Sequence, residues 1–184
     1  PVNKTDKHVL PDTVPNIAAL FQFGRDSAPK ANVEFGKNVK NYVMENGVIY
    51  NKAKTRVLLS TPAATGKYVL PETVTSIGYF AFSGSKFTEV TLNENITTLV
   101  YGTFDGCKSL EKVTLPETLF MLDERVFAGC TNLKKVHTGA ITRIGANAFA
   151  GCSGLTAISV AEGNSAYSVI GGWVVKYAAA YVTA

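Results

Sequence analysis

The 184-residue sequence is poor in the side chains that build most catalytic and metal sites. It has two histidines, His8 and His137, and three cysteines, each more than twenty residues from the next. These numbers exclude a histidine-rich metal site and the C-x-x-C pairs of zinc ligands. No zinc-protease, serine-hydrolase or phosphate-loop pattern occurs, and no spacing selects a glycosidase carboxylate pair. We therefore expect no catalytic residues, no cofactor and no metal.

Long apolar runs and charge clusters are also missing. No stretch of 18 apolar residues is present, which predicts that no segment spans a membrane. The opening residues lack the basic and then apolar segments of a signal peptide. The net charge is +4, from 18 Lys and Arg against 14 Asp and Glu, and it is spread along the chain. We therefore expect no nucleic-acid partner.

What the sequence does contain is a repeat. Four copies of one unit fill residues 68–158, and their central phenylalanines lie 22, 23 and 22 residues apart. These phenylalanines are Phe82, Phe104, Phe127 and Phe149. A fixed period in the low twenties, with apolar residues in register, indicates a solenoid in the leucine-rich-repeat range.

Each copy contains three pieces. The first, L-P-E-T-V-x-x-I in its best-preserved form, predicts a short extended segment. The second is a short helical turn ended by a glycine, as at Tyr79–Ser83 before Gly84. The third, L-x-x-V-x-L, alternates like a strand with its apolar side inward. We expect these strands to pair in parallel, with coils about 4.8 Å apart.

The flanking segments are interpreted as parts of the same single domain, 1–184. Residues 1–33 resemble a degenerate N-terminal coil, because His8–Val14 parallels Tyr68–Val74. Residues 34–67 predict a β-hairpin, with two β-rich runs around a polar turn. Residues 159–184 repeat that theme as a C-terminal hairpin or cap. Trp173, Tyr177 and Tyr181 are interpreted as closing the end of the solenoid, or alternatively as a third contact surface.

The pattern I-G-x-x-A-F-x-G-C, found at Ile144–Cys152, resembles the BspA-like leucine-rich repeats of bacterial surface proteins, as does LPETVTSIG at 70–78. The resemblance covers 68–158 closely, although Thr138-Gly139 replaces the usual Leu-Pro. It implies a right-handed solenoid, export to the cell surface, and adhesion to host proteins, with matrix proteins such as fibronectin or fibrinogen as ligands. The expected fold is thus a β-rich solenoid of 22–23-residue coils with two β-hairpin elaborations.

Two sets of recurring side chains are predicted to point inward. The phenylalanine ladder is interpreted as core rather than as a ligand slot. The cysteines Cys107, Cys130 and Cys152 share one repeat position and are interpreted as buried free thiols, because neighbours in a ladder point the same way and thiols pack as small hydrophobes.

Candidate binding residues lie on the outward strand positions. These positions form three columns: Glu89, Lys112, Lys135 and Ala157; Thr91, Thr114, His137 and Ser159; and Thr88, Glu111, Lys134 and Thr156. Extended faces are where repeat proteins commonly bind partners. The alternative interpretation is an ordinary solvated face of mixed charge.

A second candidate is the apolar pair Phe120 and Met121. The equivalent positions in the other copies are polar: Thr75 and Ser76, Thr97 and Thr98, and Thr142 and Arg143. The pair is interpreted as a contact patch, or alternatively as a local packing irregularity. From both surfaces we predict a non-enzymatic, exported module that binds a protein; the alternative is a structural spacer within a longer surface protein.

Overall fold

The structure is a computed structural model that describes residues 7–10, 32–35, 39–170 and 173–176, with side chains described for 39–167. Most of the predicted coil at 1–33 therefore lies outside the described residues. So do Tyr177 and Tyr181 of the predicted cap and the side chain of Trp173.

Sixteen strands lie in the described residues. They are β1 (Lys7–Leu10), β2 (Asn32–Phe35), β3 (Tyr42–Glu45), β4 (Val48–Asn51), β5 (Arg56–Ser60), β6 (Thr65–Val69), β7 (Ser76–Ile77), β8 (Lys86–Thr91), β9 (Thr98–Leu99), β10 (Lys112–Thr114), β11 (Met121–Leu122), β12 (Lys135–Thr138), β13 (Arg143–Ile144), β14 (Ala157–Val160), β15 (Tyr167–Ile170) and β16 (Trp173–Lys176).

Parallel stacking of the repeats builds two faces of a solenoid. One face is a five-stranded parallel sheet in the order β14-β12-β10-β8-β6. The other is formed by the short strands, with β13-β11-β9 in one sheet and β7 joined in parallel to β5. Each strand pairs with the strand one repeat away, so the predicted β-solenoid with parallel strands is confirmed.

The third face consists of hydrogen-bonded turns, which replace the short helical turns that the sequence predicts. The described ranges hold no helix, and so none that could cross a membrane. Hydrogen bonds between residues three positions apart close the turns, such as the bond from the N–H of Ser83 to the carbonyl oxygen of Phe80 at 2.9 Å. Each turn has two residues with a positive φ, the glycine that ends it and a residue near its start. The latter are Phe80 (55°), Gly102 (64°), Arg125 (59°) and Asn147 (56°). A left-handed residue at this point stops a right-handed helix from propagating.

A ladder of stacked rings forms the centre of the core. The centroids of Phe82, Phe104, Phe127 and Phe149 are 5.2, 5.3 and 5.5 Å apart, with interplanar angles of 16°, 5° and 9°. The first three rings are fully buried, and Phe149 is partly buried against the same cluster. The ladder is therefore core, as the sequence predicts.

The thiols line a second column of the core. Each donates a hydrogen bond to the carbonyl oxygen of the phenylalanine in the preceding coil: Cys107 to Phe82 (2.9 Å), Cys130 to Phe104 (3.1 Å) and Cys152 to Phe127 (3.0 Å). All three cysteines are free, and Cys107 and Cys130 are buried while Cys152 is half-buried. Each of these carbonyl oxygens also accepts a backbone N–H within its own turn, from Ser85, Cys107 or Cys130, so the thiol adds a second hydrogen bond that joins neighbouring coils.

Two hairpins flank the regular coils. β3 and β4 pair antiparallel around Asn46-Gly47, whose positive φ values of 50° and 76° match the two-residue turn that such hairpins favour. β4 then pairs antiparallel with β5, so the predicted strand pair is present and β3 extends it. β15 and β16 form the second antiparallel hairpin, and β14 contacts both of its strands.

Side chains ahead of and within the second hairpin close the edge of the short-strand sheet. Asn164 Nδ2 donates to the carbonyl oxygen of Ile141 at 2.8 Å. The hydroxyl of Tyr167, itself buried, accepts a hydrogen bond from the backbone N–H of Ile144 at 2.9 Å. These bonds satisfy backbone groups that an unprotected edge strand would leave open to pairing with another chain.

Candidate protein-binding face

Alternation along β10 and β12 determines which side chains face solvent on the five-stranded sheet. Val113 and Val136 point into the core and are buried, whereas the residues on either side of each are exposed. Because the strands pair in register, the outward residues stack in columns. Glu89 lies opposite Lys112, Lys112 opposite Lys135, and His137 opposite Ser159. The columns read from the sequence are therefore present.

A groove of about 480 Å³ crosses this face between the coils of β10 and β12. It brings together four of the predicted site residues: Lys112, Lys134, Lys135 and His137. The lining also includes Val113 and Leu115 at its floor and the exposed side chains of Glu111, Thr114 and Glu117. We name these residues the sheet-face groove.

Glu89 does not line the groove, although its column continues into it. Its carboxylate instead forms an ion pair with Lys67 on β6, at 3.0 Å between Nζ and Oε1. The column therefore divides into a charge-paired part at Lys67 and Glu89 and an unpaired part at Lys112 and Lys135.

The two lysines of the unpaired part lie side by side. Lys112 and Lys135 are opposite each other on adjacent parallel strands, about 4.8 Å apart in the backbone. Within residues 39–167, neither ammonium group has a carboxylate within 4.0 Å. Like charges directly opposite one another destabilise a sheet, so this juxtaposition works against the fold.

His137 is held from both sides of its ring. Nδ1 lies 2.9 Å from the hydroxyl of Ser159 on β14, and Nε2 lies 3.6 Å from Oε1 of Glu117. Glu117 follows β10 in the turn at the corner of the coil, where the N–H of Leu119 bonds to the oxygen of Pro116 at 3.1 Å. This links the two coils across the end of the groove.

Glu117 is the groove residue that sequence reasoning missed, and Gly139 is what makes room for it. A Cβ added to Gly139 would come within 2.9 Å of Glu117 Cα and of its carboxylate carbon. The sequence carried a signal for this contact, since Thr138-Gly139 stands where the copies at 68–90 and 114–136 have Leu-Pro. That departure marks the coil where the preceding glutamate can fold back toward His137.

Phe120 and Met121 lie on the other side of the same corner, on the short-strand face. The structure does not bring them into the sheet-face groove. Phe120 is 45% exposed. Its backbone N–H donates to the carbonyl oxygen of Thr97 at 3.0 Å, and its carbonyl oxygen accepts from the N–H of Thr142 at 2.8 Å. Met121 is half-buried, paired with Thr98 and Arg143. The pair is an exposed apolar feature separate from the lysines.

Two other exposed apolar side chains were not singled out from the sequence. Val69 is 70% exposed at the end of β6, and Tyr79 is 55% exposed where its turn begins. The equivalents of Val69 in the next two coils are Thr91 and Thr114, a polar column that could have identified it. Within the described ranges, no group of three or more His, Cys, Asp and Glu is placed to hold a metal ion.

Comparison with known proteins identifies a repeat family that matches the sequence. The sequence profile described as "BspA type Leucine rich repeat region" matches residues 63–169 in six copies. No curated protein matches the sequence.

Three solved structures have similar folds. A leucine-rich repeat protein from Eubacterium ventriosum has a TM-score of 0.68 and 31% identity, covering 83% of this chain and 41% of its own. The pneumococcal vaccine antigen PcpA has a TM-score of 0.71 at 19% identity, covering 85% and 39%. A leucine-rich repeat protein from Bacteroides capillosus has a TM-score of 0.56 at 22% identity, covering 65% and 98%. The chain thus spans about two fifths of the length of the first two proteins.

Proposed function

Since the chain belongs to the BspA-type leucine-rich repeat family, we propose that it is an exported, cell-surface module of a bacterium that binds a protein ligand and catalyses no reaction. Solenoids of stacked repeats present extended faces, and these faces are where repeat proteins bind partners. The family resemblance favours a host matrix protein such as fibronectin or fibrinogen as the ligand.

The observation that carries this proposal is the sheet-face groove. Three lysines and a histidine converge there, and none of the three lysines has a carboxylate within 4.0 Å among residues 39–167. Unpaired like charges on a regular sheet weaken the fold, so a partner that supplies the missing charges accounts for their presence. The exposed Phe120 and the half-buried Met121 supply a second, apolar contact around the corner.

Binding to immobilised human fibronectin and fibrinogen tests the proposal, with surface plasmon resonance as the readout and albumin as the reference surface. We expect saturable binding to at least one matrix protein. Replacing Lys112, Lys134 and Lys135 with glutamate should weaken that binding while the circular dichroism spectrum and the melting temperature stay close to those of the wild type. Absence of saturable binding to any matrix protein or glycan would favour the alternative, a structural spacer with no ligand of its own.

A further inference from the structure

We infer that the sheet-face groove binds an acidic peptide segment of the partner, in extended form, with carboxylates placed over Lys112 and Lys135. This inference rests on the proposed function and adds the chemical class of the ligand. It is carried by the distribution of charge in the groove rather than by the number of basic residues.

The ion pairs on this face leave two adjacent lysines without a carboxylate partner. Lys67 is paired with Glu89 at 3.0 Å, and His137 has Glu117 at 3.6 Å. Between these pairs, Lys112 and Lys135 face each other, and neither has a carboxylate within 4.0 Å in residues 39–167, although Glu89 lies on the strand at the other side of Lys112. A carboxylate that accepts hydrogen bonds from both ammonium groups would complete the pattern.

The spacing of the lysines suits an extended peptide. Their strands are about 4.8 Å apart, and side chains two residues apart on one side of an extended peptide are roughly 6.6 Å apart. The four-carbon stem of lysine spans the difference between these two distances. One acidic residue, or two in the pattern acidic-x-acidic, can therefore reach both ammonium groups.

The two ends of the groove argue against a uniformly charged polyanion. Glu111 and Glu117 both lie on the coil of β10, one before and one after the strand, and both are exposed. They are six positions apart in the chain, a span of at most roughly 20 Å. A sulfated glycan or a nucleic acid long enough to cover the lysines would bring negative charge against both carboxylates. A short peptide with an acidic centre and basic ends does not bring negative charge against these two carboxylates.

Fluorescence anisotropy with three probes tests this inference on the whole chain. The first probe is the labelled peptide Lys-Ser-Thr-Glu-Thr-Glu-Thr-Ser-Lys, the second has glutamine in place of glutamate, and the third is labelled heparin. We expect the glutamate peptide to bind at least about tenfold more tightly than the glutamine peptide, with the difference shrinking as salt rises. Equal binding of the two peptides, or tighter binding of heparin than of the glutamate peptide, would overturn the inference.

The variant Lys135→Glu separates binding from folding. In the free protein it places a glutamate opposite Lys112, which should raise the melting temperature by about 1–3 °C. It should also lower the affinity for the glutamate peptide by at least about tenfold. Lys52→Glu, at an exposed position in the β4–β5 turn, makes the same change in net charge and should leave peptide binding unchanged. Unchanged peptide binding by Lys135→Glu, or equal losses in both variants, would contradict a site at this pair.

The same variant distinguishes this inference from the proposed function. Saturable binding of Lys135→Glu to fibronectin at wild-type strength would overturn the acidic-segment site and leave the proposed function standing. Tight binding of the glutamate peptide without binding to any matrix protein would support the site and count against matrix adhesion.

Discussion

The aromatic ring of Phe80 lies against the backbone of Gly102 in the next coil, where an added Cβ would come within 3.1 Å of the ring Cζ. Both residues occupy the same position of their coils, with φ of 55° and 64°. The ring also meets Tyr101 edge to face, at 5.2 Å and 77°. Gly102 therefore satisfies two demands at once, a left-handed backbone and room for the ring of the coil before it.

Gly102→Ala should therefore destabilise the fold more than a glycine replacement that changes the backbone alone. Gly106 is the matched control, because its φ is 71° and an added Cβ there meets nothing within 4 Å. We expect Gly106→Ala to cost about 1–2 kcal/mol from the left-handed conformation. Gly102→Ala should cost about 1–3 kcal/mol more, through displacement of Phe80. Urea denaturation measures both, and equal losses would show that the ring contact contributes nothing.

Phe127→Ala should reduce the free energy of unfolding by about 3–5 kcal/mol, because its ring is fully buried and stacked on both faces. Phe120→Ala is the control, seven residues away in the same coil but 45% exposed. We expect it to change stability by about 0.5 kcal/mol. Thermal or chemical denaturation compares the two, and a Phe127→Ala protein as stable as the wild type would mean that the ladder is not the core.

Thiol titration should find three free cysteines in unfolded, unreduced protein. In the folded protein Cys152 should react first, because it alone is half-buried and the neighbouring Cys130 thiol lowers its pKa. Interactions with the thiols of Cys107 and Cys152, together with burial, raise the pKa of Cys130, which leaves little reactive thiolate. Cys152→Ser should remove the fast phase. A single titratable thiol in the unfolded protein would indicate a disulfide and contradict the free-thiol column.

Stability should fall in alkaline solution because of Tyr50 and Tyr68. Their hydroxyls share a hydrogen bond of 2.6 Å inside the core, and burial raises the pKa of both above the ordinary value of about 10. The folded state therefore holds these protons more tightly than the unfolded state. The contribution of the two hydroxyl groups to the free energy of unfolding is complete below about pH 10 and is lost as the pH rises further.

Melting temperatures measured from pH 8 to pH 12 check this expectation. Tyr68→Phe removes one of the two titrating groups and should flatten the alkaline decline. Tyr79→Phe, whose ring is 55% exposed, should follow the wild-type curve. Identical curves for wild type and Tyr68→Phe would show that the buried pair does not drive the loss.

The period of the sequence was enough to predict the inward and outward positions. The same valines and leucines recur in each coil, so strand alternation placed Lys112, Lys135 and His137 outward in register. Repetition carries this information because each coil pairs with its neighbours in the same way. The phenylalanine and cysteine columns were predictable for the same reason.

The contacts that depart from the repeat could not be predicted. The approach of Glu117 to His137 depends on the missing side chain of Gly139 one coil later, a relation that lies outside any local pattern. The short helical turns were expected because a glycine ends each of them, but each turn also has an earlier left-handed residue, such as Phe80 with a φ of 55°, that no glycine marks in this coil. Strand β3 was missed because it is only partly buried and shows no clear alternation.

The most direct test of binding through the sheet face compares two double variants on immobilised fibronectin. Lys112→Glu with Lys135→Glu reverses the unpaired lysines of the groove, and Lys40→Glu with Lys52→Glu makes the same change in net charge at exposed positions outside it. We predict a loss of at least about tenfold in affinity for the first pair and less than about twofold for the second. Equal affinities for the two double variants would contradict the account.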